Sequence, residues 1–391
     1  MKIRQKGTRP VIKLPRAVYI AICVLPAVLT ILFYSLRFVP GVMEWASVRV
    51  SAPVRGALGL VSSIYPFSLM EILCTAAVIW LIYYIVRSII VTTRRREKLK
   101  ILSKRLLTVV VVILYVWGLF CWLWNSGYHA PGFADQNGFS GEGVTLEDLT
   151  FVTRMFAENA NELSVLVKRD DDGRYIEDRR EILEASTEVY QNIAVRFPGL
   201  SGRMYRPKSM MFSWLMSRTG YTGIYFAFTG ESNINSQEPV FMMPATVTHE
   251  LAHQRGVFAE DEANFVGLAA CIASGNTAYE YAGYLRGLMY LLDALHGADY
   301  YTWLEIGGSL TDEVNRDWRE NYDFWQKQRS VETGIAFIDN VLTAVTVTVS
   351  DAVDTVYDGY LRAQNQELGI KSYGACVNLL VEYFAAPDSA G

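Results

Sequence analysis

Three apolar stretches near the N-terminus constrain the architecture of this chain more than any other feature. Ala17 to Leu36 and Leu106 to Trp124 carry no charged side chain, and each matches the roughly 20 residues an α-helix needs to cross the hydrocarbon of a bilayer. A further stretch, about Pro66 to Val91, has Glu71 near one end and Arg87 near the other, leaving Ile72 to Val86 uncharged. In lipid the backbone must satisfy its own hydrogen bonds, so a single apolar segment crosses as a helix. Pro26 is tolerated in such a helix, and the tryptophans closing the last stretch suit the headgroup interface. The first stretch lacks a small-residue cleavage site and two more follow, so it reads as a retained span at about 17–36, with the others at about 66–91 and 106–124. The lipid bilayer is the first expected partner.

Basic residues set the expected orientation. Lys2, Arg4, Lys6, Arg9, Lys13 and Arg16 precede the first span, and Arg94, Arg95, Arg96, Lys98, Lys100, Lys104 and Arg105 lie between the second and third. Only Arg37, Arg49 and Arg55 separate the first from the second. By the positive-inside rule the N-terminus is cytoplasmic, and everything after Trp124 is extracytoplasmic, outside the plasma membrane. Residues 1–125 hold 17 of the 36 Lys and Arg but only 3 of the 40 Asp and Glu, which leaves the rest of the chain at a balance of −18. Nucleic acid is excluded as a partner of so acidic a domain. Cys23, Cys74 and Cys121 fall in the spans. Cys271 reads as a small buried hydrophobe, and a disulfide between it and Cys376 stays open.

The chemistry sits in His249-Glu250-Leu251-Ala252-His253. Residues four apart share one face of a helix, so both imidazoles can meet one cation while Glu250 reaches a water beside it. Zinc binds imidazole and carboxylate at about 2.0–2.2 Å and lowers the pKa of a bound water towards roughly 7, with three protein ligands and one open position. The third ligand is sought after the turn at Gly256, on a second helix that starts near Glu260. Glu260 is the first choice and Glu262 the alternative. Ala263 favours close helix approach, and Asn264, four residues after Glu260, is placed to orient a ligating histidine. The chain has only 4 histidines, and two of them stand in this pattern. Ala259 stands where a metzincin would carry its third ligand, which rejects that class.

Gly223 to Asn235 is β-prone and then turn-rich, and reads either as a strand edge that holds an extended substrate or as an ordinary hairpin. Glu231, Asn233 and Asn235 are candidates to line a cleft there. Thr246 or Thr248 with Pro244 opens the motif helix. Thr277 to Leu295 has helical periodicity, and Tyr281 or Tyr284 is the expected donor to the oxyanion of a tetrahedral intermediate. Leu146 to Leu163 and about Arg179 to Arg196 are scaffold helices. Tyr300 to Gln328 has the pattern of amphipathic helices, Ile335 to Ser350 is buried or interfacial, and Val356 to Phe384 forms two helices with a turn at Gly369 to Gly374. Asn125 to Gly143, rich in Gly, Ser and Asn, reads as a linker, which gives a membrane domain 1–125, a linker 126–145 and an outer domain 146–391.

His249-Glu250-Leu251-Ala252-His253-Gln254 resembles the active-site helix of the gluzincin metallopeptidases, and Glu260 with Ala263 and Asn264 looks like their second-helix motif, in which the glutamate is the third zinc ligand. The three spans, the FTGESNIN segment, HELAHQRGVFAEDEANF and a late SYG together resemble the bacterial membrane family known as domain of unknown function number 3810. The resemblance covers most of the chain and implies a zinc peptidase without an established substrate. It departs at Asn264, where many gluzincins carry Asp, and in its closer motif spacing.

The expected fold class is a membrane protein with three N-terminal transmembrane helices and a mainly α (α+β) zincin-like domain, its small sheet beside the motif helix. The expected function is hydrolysis of an extracytoplasmic peptide or protein substrate. Zn2+ is held by His249, His253 and Glu260, and Glu250 takes a proton from the attacking water and returns it to the leaving amine. The alternatives are a catalytically silent envelope sensor of the same fold and a cell-wall peptide amidase.

Overall fold

The computed structural model describes residues 15–39, 41–94, 96–330, 336–364 and 373–386. Most of the basic N-terminal arm and most of the turn expected at Gly369 to Gly374 lie outside them. Among the described residues, three helices are long and apolar enough to cross a membrane: α1 (Arg16–Leu36), α4 (Leu69–Thr93) and α5 (Lys98–Phe120), the last continued by a π-turn over Cys121–Asn125. The second starts later than its apolar run because the Ser68 hydroxyl caps it, accepting from Glu71 N at 3.1 Å. The third starts earlier, in its basic approach.

Between α1 and α4 stand α2 (Val42–Ala46), a π-turn over Ser47–Ser51 and α3 (Ala52–Ser62). Sequence reasoning gave this loop no role, yet it is built into the domain that follows α5. Tyr205 donates to the Gly56 carbonyl at 3.0 Å, and Lys208 Nζ to that of Ser62 at 2.6 Å. Glu231 accepts from Leu69 N and Met70 N, at 3.1 and 2.9 Å, and pairs with buried Lys208.

The stretch expected as a linker also has structure. It holds a 3-10 turn at Gly127–His129 and α6 (Phe133–Asn137), with Phe133 buried in the main core. The outer domain then runs through α7 (Leu146–Ser164), α8 (Arg179–Ala185), α9 (Ile193–Arg196), α10 (Ser213–Thr219), α11 (Met243–Arg255), α12 (Glu260–Ile272), α13 (Thr277–Ala298), α14 (Tyr300–Gly308), α15 (Asp312–Arg329), α16 (Ala336–Ala363) and α17 (Tyr373–Phe384). The single scaffold helix expected over 179–196 is two short helices. The core lies between α7, α11, α12, α13 and α17. Leu149, Val152, Phe156 and Ala160 make the buried stripe of α7, at the spacing of one helical face. Opposite them, α13 buries Leu285, Leu288, Leu292 and Leu295.

Strands β1 (Lys208–Ser209), β2 (Gly223–Phe226) and β3 (Glu231–Ile234) form one sheet in the order β1-β3-β2. β1 is parallel to β3, with Lys208 opposite Asn233, and β2 is antiparallel, with Ile224 opposite Asn233. The sheet is fastened to α11 from the motif itself. Ser232 Oγ donates to the Glu250 carbonyl at 2.9 Å, and Gln254 bonds both Ser232 Oγ and the backbone of Tyr205. The mainly helical fold with a small sheet beside the motif helix is as the sequence predicts.

Candidate metal centre

Helix α11 begins at Met243, earlier than either threonine, with Pro244 in its first turn, where the missing N–H costs nothing. It ends at Gly256, and α12 returns across it. Their contact is close because Gly267 faces the backbone of His249, where a Cβ would lie 2.8 Å from the His249 nitrogen. That crossing carries Glu260, in the first turn of α12, to both histidines. Glu260 Oε2 is 3.2 Å from His249 Nε2, and Oε1 is 3.7 Å from His253 Nε2.

Two donors bound at about 2.1 Å to one tetrahedral ion stand about 3.4 Å apart, so these spacings fit a cation between the three groups. Their ligand atoms all lie within 4.8 Å of one another. His253 Nδ1 is 2.7 Å from the Val257 carbonyl, which assigns its proton to that side and leaves Nε2 free to ligate. His249 Nδ1 and Glu250 Oε2 are buried and find no protein partner among the described residues. Orphaned polar atoms of this kind accord with a site built to hold something other than protein.

The electrostatics agree. Burial alone would push the Glu260 carboxyl up, but the His253 charge and the hydrogen bonds from both imidazoles outweigh it and hold Glu260 well below the usual range. Burial works to lower His253, but Glu260 and then Glu250 raise it to about 9. Without a cation, the pair thus keeps a proton between Glu260 and His253, and a metal ion would displace it. Glu250 is pushed up to about 7, chiefly by burial, against the pull of the two histidines. Strand β2 begins beside it, since a Cβ on Gly223 would lie 2.5 Å from Glu250 Oε1.

The wall around the centre comes from distant parts of the chain, and sequence reasoning missed it. Arg55 of α3 is 4% exposed. Its Nη1 donates to the His253 carbonyl at 3.3 Å, and its guanidinium lies 4.8 Å from the Phe258 ring and 5.8 Å from that of Trp124. Trp124, at the end of the third span, sets its ring 5.5 Å from that of His253. From α16, Tyr357 donates its hydroxyl to Glu260 Oε1 at 2.6 Å, and Tyr360 donates to Asn125 at 2.6 Å. The available signal was the pair of tyrosines three apart in a late helix.

The other sequence candidates are placed elsewhere. Glu262 accepts from Phe133 N at 2.8 Å and Ala134 N at 2.9 Å and so caps α6, a job that takes it away from the histidines. Asn264 makes no hydrogen bond to either imidazole among the described residues. Tyr281 is fully buried, and its hydroxyl is bonded to Asp317 at 2.5 Å, beside Arg169. Tyr284 packs edge-on against Phe156, 5.1 Å away. Neither reaches the centre, because the face of α13 that carries them is turned into the core. Glu231, Asn233 and Asn235 are buried and bonded within the sheet and its neighbours rather than lining a cleft. All five cysteines are free, so Cys271 and Cys376 are not bridged.

A family model described as "Protein of unknown function (DUF3810)" matches residues 48–381. The chain belongs to this family. No curated protein and no solved structure matches the chain. The span that makes it a DUF3810 member takes in Arg55, Trp124, both motif helices and Tyr357. Every group described here at the metal centre therefore lies inside the family unit, whereas the first span lies outside it.

Proposed function

We propose that this DUF3810 protein is a zinc-dependent peptidase of the plasma membrane that cleaves a peptide or protein on the extracytoplasmic side. The observation that carries the reading is the convergence of His249, His253 and Glu260 at ligand spacing with Glu250 buried beside them. His249, His253 and Glu260 would hold the ion. Zinc, when bound, would supply a Lewis acid that activates water. Glu250 takes the proton of the attacking water and hands it to the departing amine. Strand β2 lies at the edge of the sheet, beside Glu250, where an extended substrate would pair with its main chain. Tyr357, whose hydroxyl donates to Glu260 Oε1, is the residue that would take the role expected of Tyr281 or Tyr284 by turning that donor from Glu260 to the oxyanion. The orientation rests on the basic residues that flank the spans.

The test is metal analysis of the purified protein in lipid nanodiscs, with cleavage of a peptide library by the wild type and by Glu250→Gln. One zinc per chain in both, and a loss of cleavage of about 10³-fold or more in the variant, is the expected result. A protein without bound divalent metal, or a variant as active as the wild type, would end the peptidase reading.

A further inference from the structure

The segment Met210 to Ser217 contains no charged residue, and four of its large apolar side chains are turned outward. Met211 is 80% exposed, Phe212 41%, Trp214 54% and Leu215 50%. Scattered exposed hydrophobes need no explanation, but four large ones within five positions mark a surface made to meet something apolar. The segment is also held firmly. Met211 N and Phe212 N donate to the two oxygens of Glu71, at 3.0 and 2.7 Å, and Met210 and Met216 pack on Met70.

That attachment identifies what covers the surface. Met70 and Glu71 lie in the first turn of α4, at the point where this helix turns apolar enough to cross a membrane. Side chains pinned to that turn stand at the level where α4 enters the lipid. The residues leading into α4 behave alike, since Ile64 is 73% exposed, Tyr65 43% and Phe67 42%. Trp, Tyr and Phe at this height match the aromatic belt of a membrane interface. Glu71 itself is explained by the same contact, because two backbone donors satisfy a carboxylate that would otherwise be costly at the lipid boundary.

We propose that residues 210–215, comprising the turn before α10 and its first residues, are seated in the interfacial layer of the bilayer, as a lipid contact separate from the three spans. The proposal is independent of the peptidase reading. Apolar faces of this kind sink roughly 5–10 Å below the headgroups. From Leu215 the chain passes through Tyr221, whose ring lies 5.9 Å from that of Tyr357, into β2 beside Glu250. The outer domain's contact with lipid is thereby linked to the wall of the metal centre.

The experiment uses full-length protein in phosphatidylcholine nanodiscs, with Cys23→Ala and Cys74→Ala to remove the two unburied thiols. An environment-sensitive fluorophore is attached at Met211→Cys and, as a control, at Tyr301→Cys, an 82% exposed site on α14. The probe at 211 should emit further to the blue and be quenched by brominated lipid about threefold or more strongly than the probe at 301. Because the label is itself apolar, the deciding measurement dispenses with it. The emission difference between unlabelled wild type and Trp214→Phe should shrink by about half or more in brominated lipid. If that difference is the same in brominated and ordinary lipid, residues 210–215 stand in water and the proposal is overturned, whatever the labels report.

Discussion

Two regions meet at the metal centre, and they are built on different terms. The donors and the base come from consecutive helices, α11 and α12, where the spacing along the chain already dictates which side chains converge. The enclosing wall takes Arg55 from the loop between the first two spans, Trp124 from the end of the third and Tyr357 from a helix near the C-terminus. The first region supplies the candidate ligands and base, and the second supplies burial and orientation. A motif can therefore be intact while the centre it belongs to is not.

The comparison is tested most severely within α12. Glu260→Gln should abolish stoichiometric zinc binding, read by metal analysis, because an amide replaces the one anionic donor of the set. Glu262→Gln should keep the metal and loosen only the cap on α6, lowering stability by about 1 kcal/mol. Equal metal loss in both would make the assignment of the third ligand wrong.

Tyr357→Phe probes the wall directly. If the hydroxyl serves the transition state, kcat falls about 10²-fold with zinc content unchanged and KM little altered. A change confined to KM would reduce Tyr357 to a substrate contact.

Arg55→Met keeps much of the side-chain volume but removes the donor to the His253 carbonyl. The expected cost is about 1–3 kcal/mol, seen as a fall of several degrees in melting temperature together with weaker zinc retention. If only the melting temperature moves, Arg55 supports the fold and not the centre.

The smallest effect is a pH dependence at Glu238, which is fully buried between the sheet and the start of α11 and accepts from Thr246 Oγ1 at 3.1 Å. Burial pushes its carboxyl up to about 8 from an ordinary 4.5. The fold thus favours the protonated form, and its contribution to stability is fully present below 4.5 and is lost as pH rises towards 8. Glu238→Gln, which cannot ionise, should lose less melting temperature than the wild type between pH 5.5 and 8.5, by several degrees. Parallel pH profiles would show that Glu238 is hydrated or paired.

What the sequence made legible follows the same division. The convergence of His249, His253 and Glu260, the hairpin beside the motif and the three apolar helices all depend on spacing within one or two neighbouring elements, and the structure has them. The misreadings involve partners far away in the chain. Glu262 looked free to ligate because nothing local announces that it caps a helix beginning at Phe133. The Gly-, Ser- and Asn-rich stretch after Trp124 looked like a linker because composition does not reveal that Phe133 is drawn into the core. Tyr281 and Tyr284 looked available because helical periodicity does not say which face meets Asp317 and Phe156. Tyr357 and Arg55 were passed over for the same reason, since each meets the site only through a contact that the tertiary fold creates.

The buried pair of Lys208 and Glu231 carries a consequence for how this protein can be handled, and for how a cell could dispose of it. Glu231 also receives the first amides of the second span. A fragment that begins at residue 126, freed of the helices before it, would leave this carboxylate and the Lys208 ammonium without three backbone partners and without their cover. Truncation at that point would therefore destabilise the rest of the chain and open it to proteolysis.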